Sequence, residues 1–263
     1  VFELGEPEHR GGGTIDFVAH NVGIRGNAES LLAMLRRRIE AGARVEEVEV
    51  DSMVIDGVVA GPDGDAPFRT YGFAVAAGGV GQRFFGKYYE ADDPNPKTIV
   101  EVVRKTLLSL PMSMLPVGRV PALASFGQYA RDMFAPTRAR VEIDGMMLPG
   151  DEFTGIHVAS MSIDLGGVLK FFGKADEPGL MNALVGTPSP FTIVRNLPRM
   201  ARGGEMRGSG IVDRPCRSMK LTATGAELLA PIIDGECYKD LRSVEFKVGP
   251  RVRIPKVIAP AKN

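Results

Sequence analysis

The chain is poor in the residues that build disulfide and zinc scaffolds. Its 263 residues include no tryptophan and only two cysteines, Cys216 and Cys237. Two cysteines cannot form a disulfide framework, and these two lie outside any metal-ligand spacing. This scarcity favours a reducing compartment, and we expect a cytoplasmic protein.

Long hydrophobic runs and the common catalytic motifs are also missing. The best apolar run, residues 73–81, is short and broken by glycine, whereas a spanning helix needs about 20 apolar residues. The sequence contains no G-x-S-x-G, H-E-x-x-H, Walker or G-x-G-x-x-G motif, and its three histidines, His9, His20 and His157, share no motif with a nucleophile. These absences argue against a serine hydrolase, a zinc enzyme and the conventional P-loop and Rossmann nucleotide sites.

Neither sign of charge dominates, because 32 basic residues balance 32 acidic ones. Without an overall field we expect no nucleic-acid partner, and any contact with an anionic membrane must come from a local patch. One such patch is residues 195–207, which contain four arginines: Arg195, Arg199, Arg202 and Arg207. The stretch can either contact anionic lipid headgroups or form ordinary solvated surface, and the sequence alone favours the second.

The composition that is present is that of a folded protein with roughly two domains. A glycine turn at residues 11–14 enters a brief helix over 15–21, and a second helix capped by Asn27 ends at Gly42. From Arg44 onward, β-branched residues alternate with charge, which indicates strands joined by a hairpin turn at 61–65 and followed by a strand over 68–77. The pattern predicts an α/β opening followed by a β-rich domain.

The later part of the chain is predicted to be mostly strands with three helices. Helices are expected over 99–110, where Pro111 ends the apolar stripe, and over 122–134 and 190–200. Strands are expected over 139–143, 155–161, 180–185, 218–222, 228–233, 244–248 and 252–254.

Two motifs can carry chemistry. Residues 11–16, GGGTID, place glycine and a threonine hydroxyl before a helix, where backbone N–H groups can face an anion. Asp234, Gly235 and Glu236 place two carboxylates directly after an apolar strand. Each motif taken alone is explained better as a turn, since Asp-Gly is a strong hairpin signal.

Order and spacing along the chain strengthen both motifs. Residues 10–24, RGGGTIDFVAHNVGI, resemble the G-T-x-N-x-x-A-x-x-L/V-G-I segment of the diacylglycerol kinase catalytic family, which includes bacterial diacylglycerol kinases and sphingosine kinases. Residues 28–35 match its following helix, residues 48–50 its V-D-x strand and residues 76–81 its A-G-x-G-F turn. Residues 233–236, IDGE, and 248–255, VGPRVRIP, resemble its closing D-G-E and proline patterns.

The resemblance implies a two-domain architecture. In that family an α/β domain related to NAD kinases holds ATP and faces a β-sandwich across a cleft. Residues 1–44 would be the end of the α/β domain, 45–249 the sandwich that holds the lipid and the catalytic residues, and 250–263 a closing segment that returns to the first domain. Because the family's G-G-D-G-T loop lies upstream of the first matched segment, we expect an N-terminally truncated chain, inactive as it stands.

The resemblance also assigns the site. Asp234 would accept the proton of the lipid hydroxyl, and Glu236 would be its neighbour in the magnesium and phosphate network. The nucleotide would contact Gly12, Gly13, Thr14 and Asp16, and Glu49 would take the family's acidic place at the domain junction. Asp176, in the sequence DEPG, stands near the place where many bacterial members bind a structural magnesium.

Two functions remain open. The first is an ATP- and Mg²⁺-dependent lipid kinase that phosphorylates a hydroxyl of a diacylglycerol-like or sphingoid lipid at a membrane surface, with a homodimer left open. The second is a non-catalytic lipid-binding module of the same fold. Asp234 and Glu236 favour the kinase, whereas Asp16, Phe17 and His20 depart from the usual residues of the family and favour the module.

Overall fold

The computed structural model of the chain describes residues 17–24, 26, 28–92, 94–113, 121–165 and 169–256. The helices within these residues are α1 Phe17–Asn21, α2 Ala28–Glu40, α3 Val80–Tyr89, α4 Pro96–Ser113, α5 Pro121–Met133 and α6 Pro190–Met200. The strands are β1 Glu47–Gly61, β2 Gly64–Gly72, β3 Ala74–Gly79, β4 Thr137–Ile143, β5 Met146–Met147, β6 Glu152–Phe153, β7 Gly155–Ala159, β8 Ile163–Leu165, β9 Leu169–Phe171, β10 Met181–Gly186, β11 Ile211–Cys216, β12 Ser218–Ala223, β13 Ile232–Ile233, β14 Glu236–Cys237 and β15 Leu241–Pro255. The predicted β-rich fold is confirmed.

Two antiparallel sheets organise the fold. The first sheet has the order β2-β1-β15-β12-β4-β5, with β6 also paired to β4, and the second has the order β11-β10-β7-β3-β13-β14. Strands β8 and β9 form a separate two-stranded sheet. The predicted hairpin at 61–65 joins β1 to β2, where Gly61 pairs with Gly64. None of the described helices combines the length and the apolar character that crossing a bilayer requires.

The hydrophobic core lies between the two large sheets. Met53, Ile55 and Phe246 from the first sheet pack with Ile156 and Met181 from the second, and each of these five residues has no exposed surface. Alternate residues of each strand point into this layer, as the period of two in a strand requires. The central strands of the two sheets therefore bury the side chains that face one another.

Helices cover the other face of the second sheet. Helix α3 contacts β3 and β7, and it also packs against α4 and α5, which pack against each other. Helix α6 contacts β9. The outer face of the second sheet is thus roofed by helices, and the candidate site lies in the space between them.

Several element boundaries differ from the sequence predictions because of prolines and corners. The predicted strand over 68–77 is broken at Phe73, where the chain passes from β2 in the first sheet to β3 in the second. The predicted strand over 228–233 shrinks to residues 232–233, since Pro231 has no N–H to donate to a ladder. Helix α4 continues past Pro111 to Ser113, although a proline at this position removes one hydrogen bond of the helix.

The closing strands predicted over 244–248 and 252–254 form one strand, β15. Its pairing with β1 shifts between Asp51 and Met53, so Gly249 and Pro250 form a bulge opposite Ser52. The Ser52 hydroxyl donates to the Pro250 carbonyl at 2.6 Å. A bulge tolerates a proline that a regular ladder would reject. Residue 44 lies between α2 and β1, and the division into domains at 44 and 249 stays a prediction.

Candidate functional site

The Asp234-Gly235 pair forms a two-residue hairpin turn between β13 and β14. Ile233 pairs with Glu236 across this turn. Both turn residues have positive φ, 48° at Asp234 and 96° at Gly235. Aspartate and glycine are residues that adopt this left-handed conformation at low cost, which is why they specify such turns. The interpretation of this motif as a turn is confirmed. The turn holds the Asp234 carboxylate in position, so it is compatible with a chemical role for that side chain.

Backbone N–H groups at the corner after β2 hold the Asp234 carboxylate. The Phe73 N–H donates to Oδ2 at 2.9 Å and to Oδ1 at 3.1 Å, and the Ala74 N–H donates to Oδ1 at 2.8 Å. The Asp234 N–H in turn donates to the Ala74 carbonyl at 2.9 Å. A Cβ on Gly72 would come within 3.0 Å of Asp234 Oδ2. The break at Phe73 therefore serves to orient this side chain.

The surroundings of Asp234 make its carboxylate more basic than usual. Asp234 is an exposed residue, yet protein atoms crowd around its carboxylate, and the resulting desolvation raises its pKa from 3.8 to about 6. The hydrogen bonds from Ala74 and Phe73 act in the opposite direction, and the negative charge of Glu236 adds to the rise. A carboxylate with such a pKa is suited to general base work near neutral pH.

Two tyrosines frame the same turn. The Tyr238 hydroxyl donates to Oε2 of Glu236 at 3.0 Å, and the Tyr238 ring packs edge-on against Phe68. On the other side, the Tyr89 hydroxyl lies 2.7 Å from the point where a Cβ of Gly235 would be. Burial raises the pKa of Tyr89 to about 12, so this tyrosine stays a neutral hydroxyl.

Asp234 and Gly235 border a cavity of about 240 Å³ on the outer face of the second sheet. Small residues of β3, Ala74 and Ala76, form its floor, and large apolar residues of α3, α4 and α6 form its walls. Phe84, Phe85, Leu107, Ile193, Val194, Leu197 and Met200 belong to these walls. Thr106, His157 and Asp234 supply its few polar side chains besides Tyr89. The site is a largely apolar chamber with one carboxylate at its edge.

His157 stands inside this chamber as a neutral imidazole. Burial lowers its pKa to about 4, and its Nδ1 has no hydrogen-bond partner among the described residues. The ring fits only because residue 81 is glycine, since a Cβ there would lie 2.0 Å from Nε2. His157 is thus a polar, uncharged part of an apolar wall.

The other predicted site residues lie elsewhere or outside the described chain. Gly12, Gly13, Thr14 and Asp16 lie outside the described residues. Glu49 is on β1, where it forms ion pairs with two residues of β15, Arg251 at 3.3 Å and Arg253 at 3.4 Å. Its role at a nucleotide stays a prediction.

Asp176, the predicted metal ligand, accepts a hydrogen bond from the Ser162 N–H at 3.0 Å. The Ser162 carbonyl accepts in turn from the Asn21 side-chain amide, so Asp176 helps to connect α1 to the rest of the fold. Within the described residues, no three His, Cys, Asp or Glu side chains are grouped to hold a metal ion. Metal binding at Asp176 stays a prediction.

The sequence analysis did not find Tyr89, Thr106 or His157. Residues 76–81, AAGGVG, are the one signal that was available, since such a run of small residues marks close approaches of neighbouring groups. What approaches, the His157 ring at Gly81, comes from a strand far along the chain. Helix α3 was not predicted, because it starts within this glycine-rich run.

Comparisons with known proteins give a similarity of fold. No family model and no curated protein sequence matches the chain. The structure is similar to that of a candidate diacylglycerol kinase from Bacillus anthracis str. Sterne, at 12% identity and a TM-score of 0.50, covering 90% of this chain and 63% of that one. The chain thus spans less than two thirds of that protein's length.

Yeast NADH kinase, solved with NADH, is a more distant match, with 9% identity and a TM-score of 0.43 over 86% of this chain and 48% of that one. It carries no weight here. The first comparison confirms the fold that the sequence resemblance implied, namely the β-rich fold of the diacylglycerol kinase type.

Proposed function

We propose that this chain forms the lipid-binding and catalytic part of an ATP-dependent lipid kinase. The reaction moves the γ-phosphate of ATP to a hydroxyl of a diacylglycerol-like or sphingoid lipid. The observation that carries the proposal is the Asp234 carboxylate, with its pKa raised to about 6, at the edge of an apolar cavity. A lipid is the substrate that needs both an apolar chamber for its chain and a base for its hydroxyl.

The cavity would take the hydrocarbon part of the substrate. Each buried CH₂ group contributes about 0.8 kcal/mol, so a few carbons in this chamber give useful affinity. The side chains that α3, α4 and α6 contribute to the cavity are apolar apart from Tyr89 and Thr106. A lipid in this cavity would keep its hydroxyl at the Asp234-Gly235 turn.

Asp234 would act as the general base. The lipid hydroxyl oxygen attacks the γ-phosphorus, its proton passes to the carboxylate, and the bond from the γ-phosphorus to the bridging oxygen breaks to release ADP. Three hydrogen bonds from Phe73 and Ala74 fix the orientation of the carboxylate before the substrate arrives. This fixed orientation lowers the cost of aligning the base with the hydroxyl.

The carboxylates of Asp234 and Glu236 fit Mg²⁺ in their donor chemistry. Carboxylate oxygens are the ligands that Mg²⁺ prefers, and Glu236 and Asp234 repel each other in a way that a divalent cation would relieve. Bound Mg²⁺ neutralises charge on the phosphates. We further propose that Gly12, Gly13, Thr14 and Asp16 contact the nucleotide, and that the protein is cytoplasmic and associates peripherally with membranes.

Phosphoryl transfer tests the proposal. The protein that contains this chain is incubated with labelled ATP, Mg²⁺ and either dioctanoylglycerol or sphingosine, and labelled lipid is counted. Asp234→Asn keeps the size of the side chain and removes the base, so we expect kcat to fall by about 100-fold or more with little change in lipid binding. Turnover by Asp234→Asn at the wild-type rate would reject the role of Asp234.

A non-catalytic lipid-binding module is the second candidate. Glu49, the acidic residue assigned to the nucleotide side, is already neutralised by Arg251 and Arg253, which favours this alternative. The same assay separates the two functions. A module binds dioctanoylglycerol but transfers no phosphate to any of the lipids, whereas a kinase does both.

A further inference from the structure

Helix α6 has two faces of different character. Its inner face contributes Ile193, Val194, Leu197 and Met200 to the walls of the apolar cavity. Its outer face presents Phe191, Arg195 and Arg199, which follow one another at intervals of four residues and therefore share one side of the helix. The Phe191 side chain is 66% exposed. An exposed phenylalanine beside arginines is typical of a helix that lies at a membrane interface.

The arginines of this outer face are not held in close ion pairs in the described part of the chain, although Arg199 lies near Glu205, whose pKa is lowered by Lys174 and, to a smaller degree, by Arg207 and Arg199. Arg195, Arg199 and the following Arg202 are exposed and make no ion pair there. The nearest acid in sequence, Glu205, is paired with Lys174 at 3.0 Å. Some arginines elsewhere form close ion pairs, as Arg69 does with Asp56 at 2.6 Å. The outer face thus offers cationic groups to an external anion.

The helix and the turn after it are held in place by polar contacts. Ser189 caps the helix by accepting from the Thr192 N–H at 3.2 Å. Asn196 donates to the Arg207 carbonyl at 2.9 Å and accepts from the Arg207 N–H at 3.0 Å. The outer face therefore exists before any partner arrives, and no ordering of the helix is needed on docking.

We propose that the outer face of α6, defined by Phe191, Arg195 and Arg199, docks on an anionic lipid bilayer together with Arg202 just after the helix. The proposal rests on the proposed function, because the cavity behind the same helix then receives its lipid from that bilayer. The guanidinium groups match lipid phosphates in charge and geometry, and Phe191 enters the interfacial region. Leu107 of α4, which lines the cavity and is 37% exposed, provides an apolar rim for the passage of a lipid chain.

Vesicle sedimentation tests the docking surface. Wild type is mixed with vesicles of phosphatidylcholine alone or of equal parts phosphatidylcholine and phosphatidylglycerol. We expect binding to the anionic vesicles that weakens as salt screens it. Removing two arginines in Arg195→Gln/Arg199→Gln should lower the partition coefficient by about thirty-fold, at roughly fivefold for each arginine.

A matched control removes the same charge elsewhere. Arg140 on β4 and Lys220 on β12 are exposed strand residues of the first sheet, on the opposite side of the sandwich from α6. We expect Arg140→Gln/Lys220→Gln to bind anionic vesicles within about threefold of wild type. Equal losses in the two double variants would mean that only net charge matters, and would overturn the proposal. Absence of wild-type binding to anionic vesicles would overturn it too, and would leave an acidic protein as the candidate partner.

A second readout separates this proposal from the proposed function. Binding of monomeric dioctanoylglycerol, measured by displacement of a fluorescent fatty acid, reports on the cavity without a membrane. We expect Arg195→Gln/Arg199→Gln to bind this monomer as wild type does, which also shows that the variant is folded. If wild type fails to bind the monomer, the proposed function fails, and the vesicle results alone decide on the docking surface.

Discussion

The two faces of the second sheet differ in how completely they are packed. On the core face, Ile156, Val158 and Met181 are fully buried against the first sheet. On the helix face, Ala74 and Ala76 line a cavity of about 240 Å³. The same strands carry both faces, so the backbone does not decide which face is filled. The faces differ in what covers them, since the first sheet packs against the core face whereas helices cover the other face and leave a cavity.

The two faces also differ in polarity. The core cluster is built from apolar side chains, and the charged residue Arg214 adjoins it at the edge strand β11, where it donates to the Ile143 carbonyl at 3.4 Å. The helix face carries His157, whose pKa falls to about 4, and Asp234, whose pKa rises to about 6. Desolvation disfavours the charged form of each group. It lowers the pKa of His157, whose charged form carries the proton, and raises the pKa of Asp234, whose charged form has lost it. Perturbed groups gathered beside a cavity are typical of a functional site.

Filling each face with the same residue should give opposite results. Ala183 is fully buried in the core, and Ala76 lines the cavity. We expect Ala183→Ile to lower the free energy of unfolding by about 3 kcal/mol, because extra carbons in a packed core force strain. Ala76→Ile should cost much less, since its added carbons enter empty space. Chemical denaturation measures both changes.

The same pair of variants should differ in lipid binding. Ala76→Ile fills the space for the hydrocarbon chain, so we expect at least a tenfold loss of affinity for dioctanoylglycerol while the fold persists. Any folded fraction of Ala183→Ile should bind at the wild-type affinity. Equal destabilisation by the two variants would contradict the difference between the faces.

Helix α3 offers a second pair of variants at two glycines. A Cβ at Gly81 would meet the His157 ring, whereas nothing lies within 4 Å of the point where a Cβ of Gly86 would be. We expect Gly81→Ala to lower the free energy of unfolding by about 2 kcal/mol through displacement of the ring. Gly86→Ala should raise it by up to about 1 kcal/mol, because alanine favours helix. Thermal unfolding of both variants checks the signs, and a stabilised Gly81→Ala would show that His157 is not confined as described.

The charge of Asp234 should produce a smaller, pH-dependent effect. Its pKa is about 6 in the folded protein and close to 3.8 in the unfolded chain, so the unfolded state loses its proton first as pH rises. The contribution of the protonated carboxyl to the free energy of unfolding is therefore complete below about pH 4, and it is lost as pH rises through about 6.

Comparison with Asp234→Asn isolates this contribution, because asparagine does not titrate. We expect the free energy of unfolding of wild type, minus that of the variant, to fall by about 1 kcal/mol between pH 4 and 7, a value reduced by the solvent access of the residue. A difference that rises with pH would contradict the direction of the shift.

Local signals predicted the turn and most of the strands. Asp-Gly after an apolar stretch predicted the hairpin at 234–235, and the apolar stripe at 190–200 predicted α6 with the bounds that the structure shows. These features depend on residues close in sequence. The resemblance to the lipid kinases then connected Asp234 to a function that the turn alone did not indicate.

The cavity could not be predicted in the same way, because its parts come from distant segments. Asp234 is held by Phe73 and Ala74, which are 161 and 160 residues away. His157 meets Gly81 only after β7 pairs with β3. Local patterns gave no information on which alanines would face the core and which the cavity, since Ala76 and Ala183 are the same residue in the same sheet.

A carbon-13 NMR titration of the Asp234 carboxyl group tests the central claim most directly. The signal is identified by its loss in Asp234→Asn and followed from pH 3 to 9 with and without dioctanoylglycerol. We expect a pKa of about 6 in the free protein, because the carboxylate is desolvated, and a further rise when lipid displaces water from the cavity. A pKa near the ordinary value of 3.8 that lipid leaves unchanged would contradict the account.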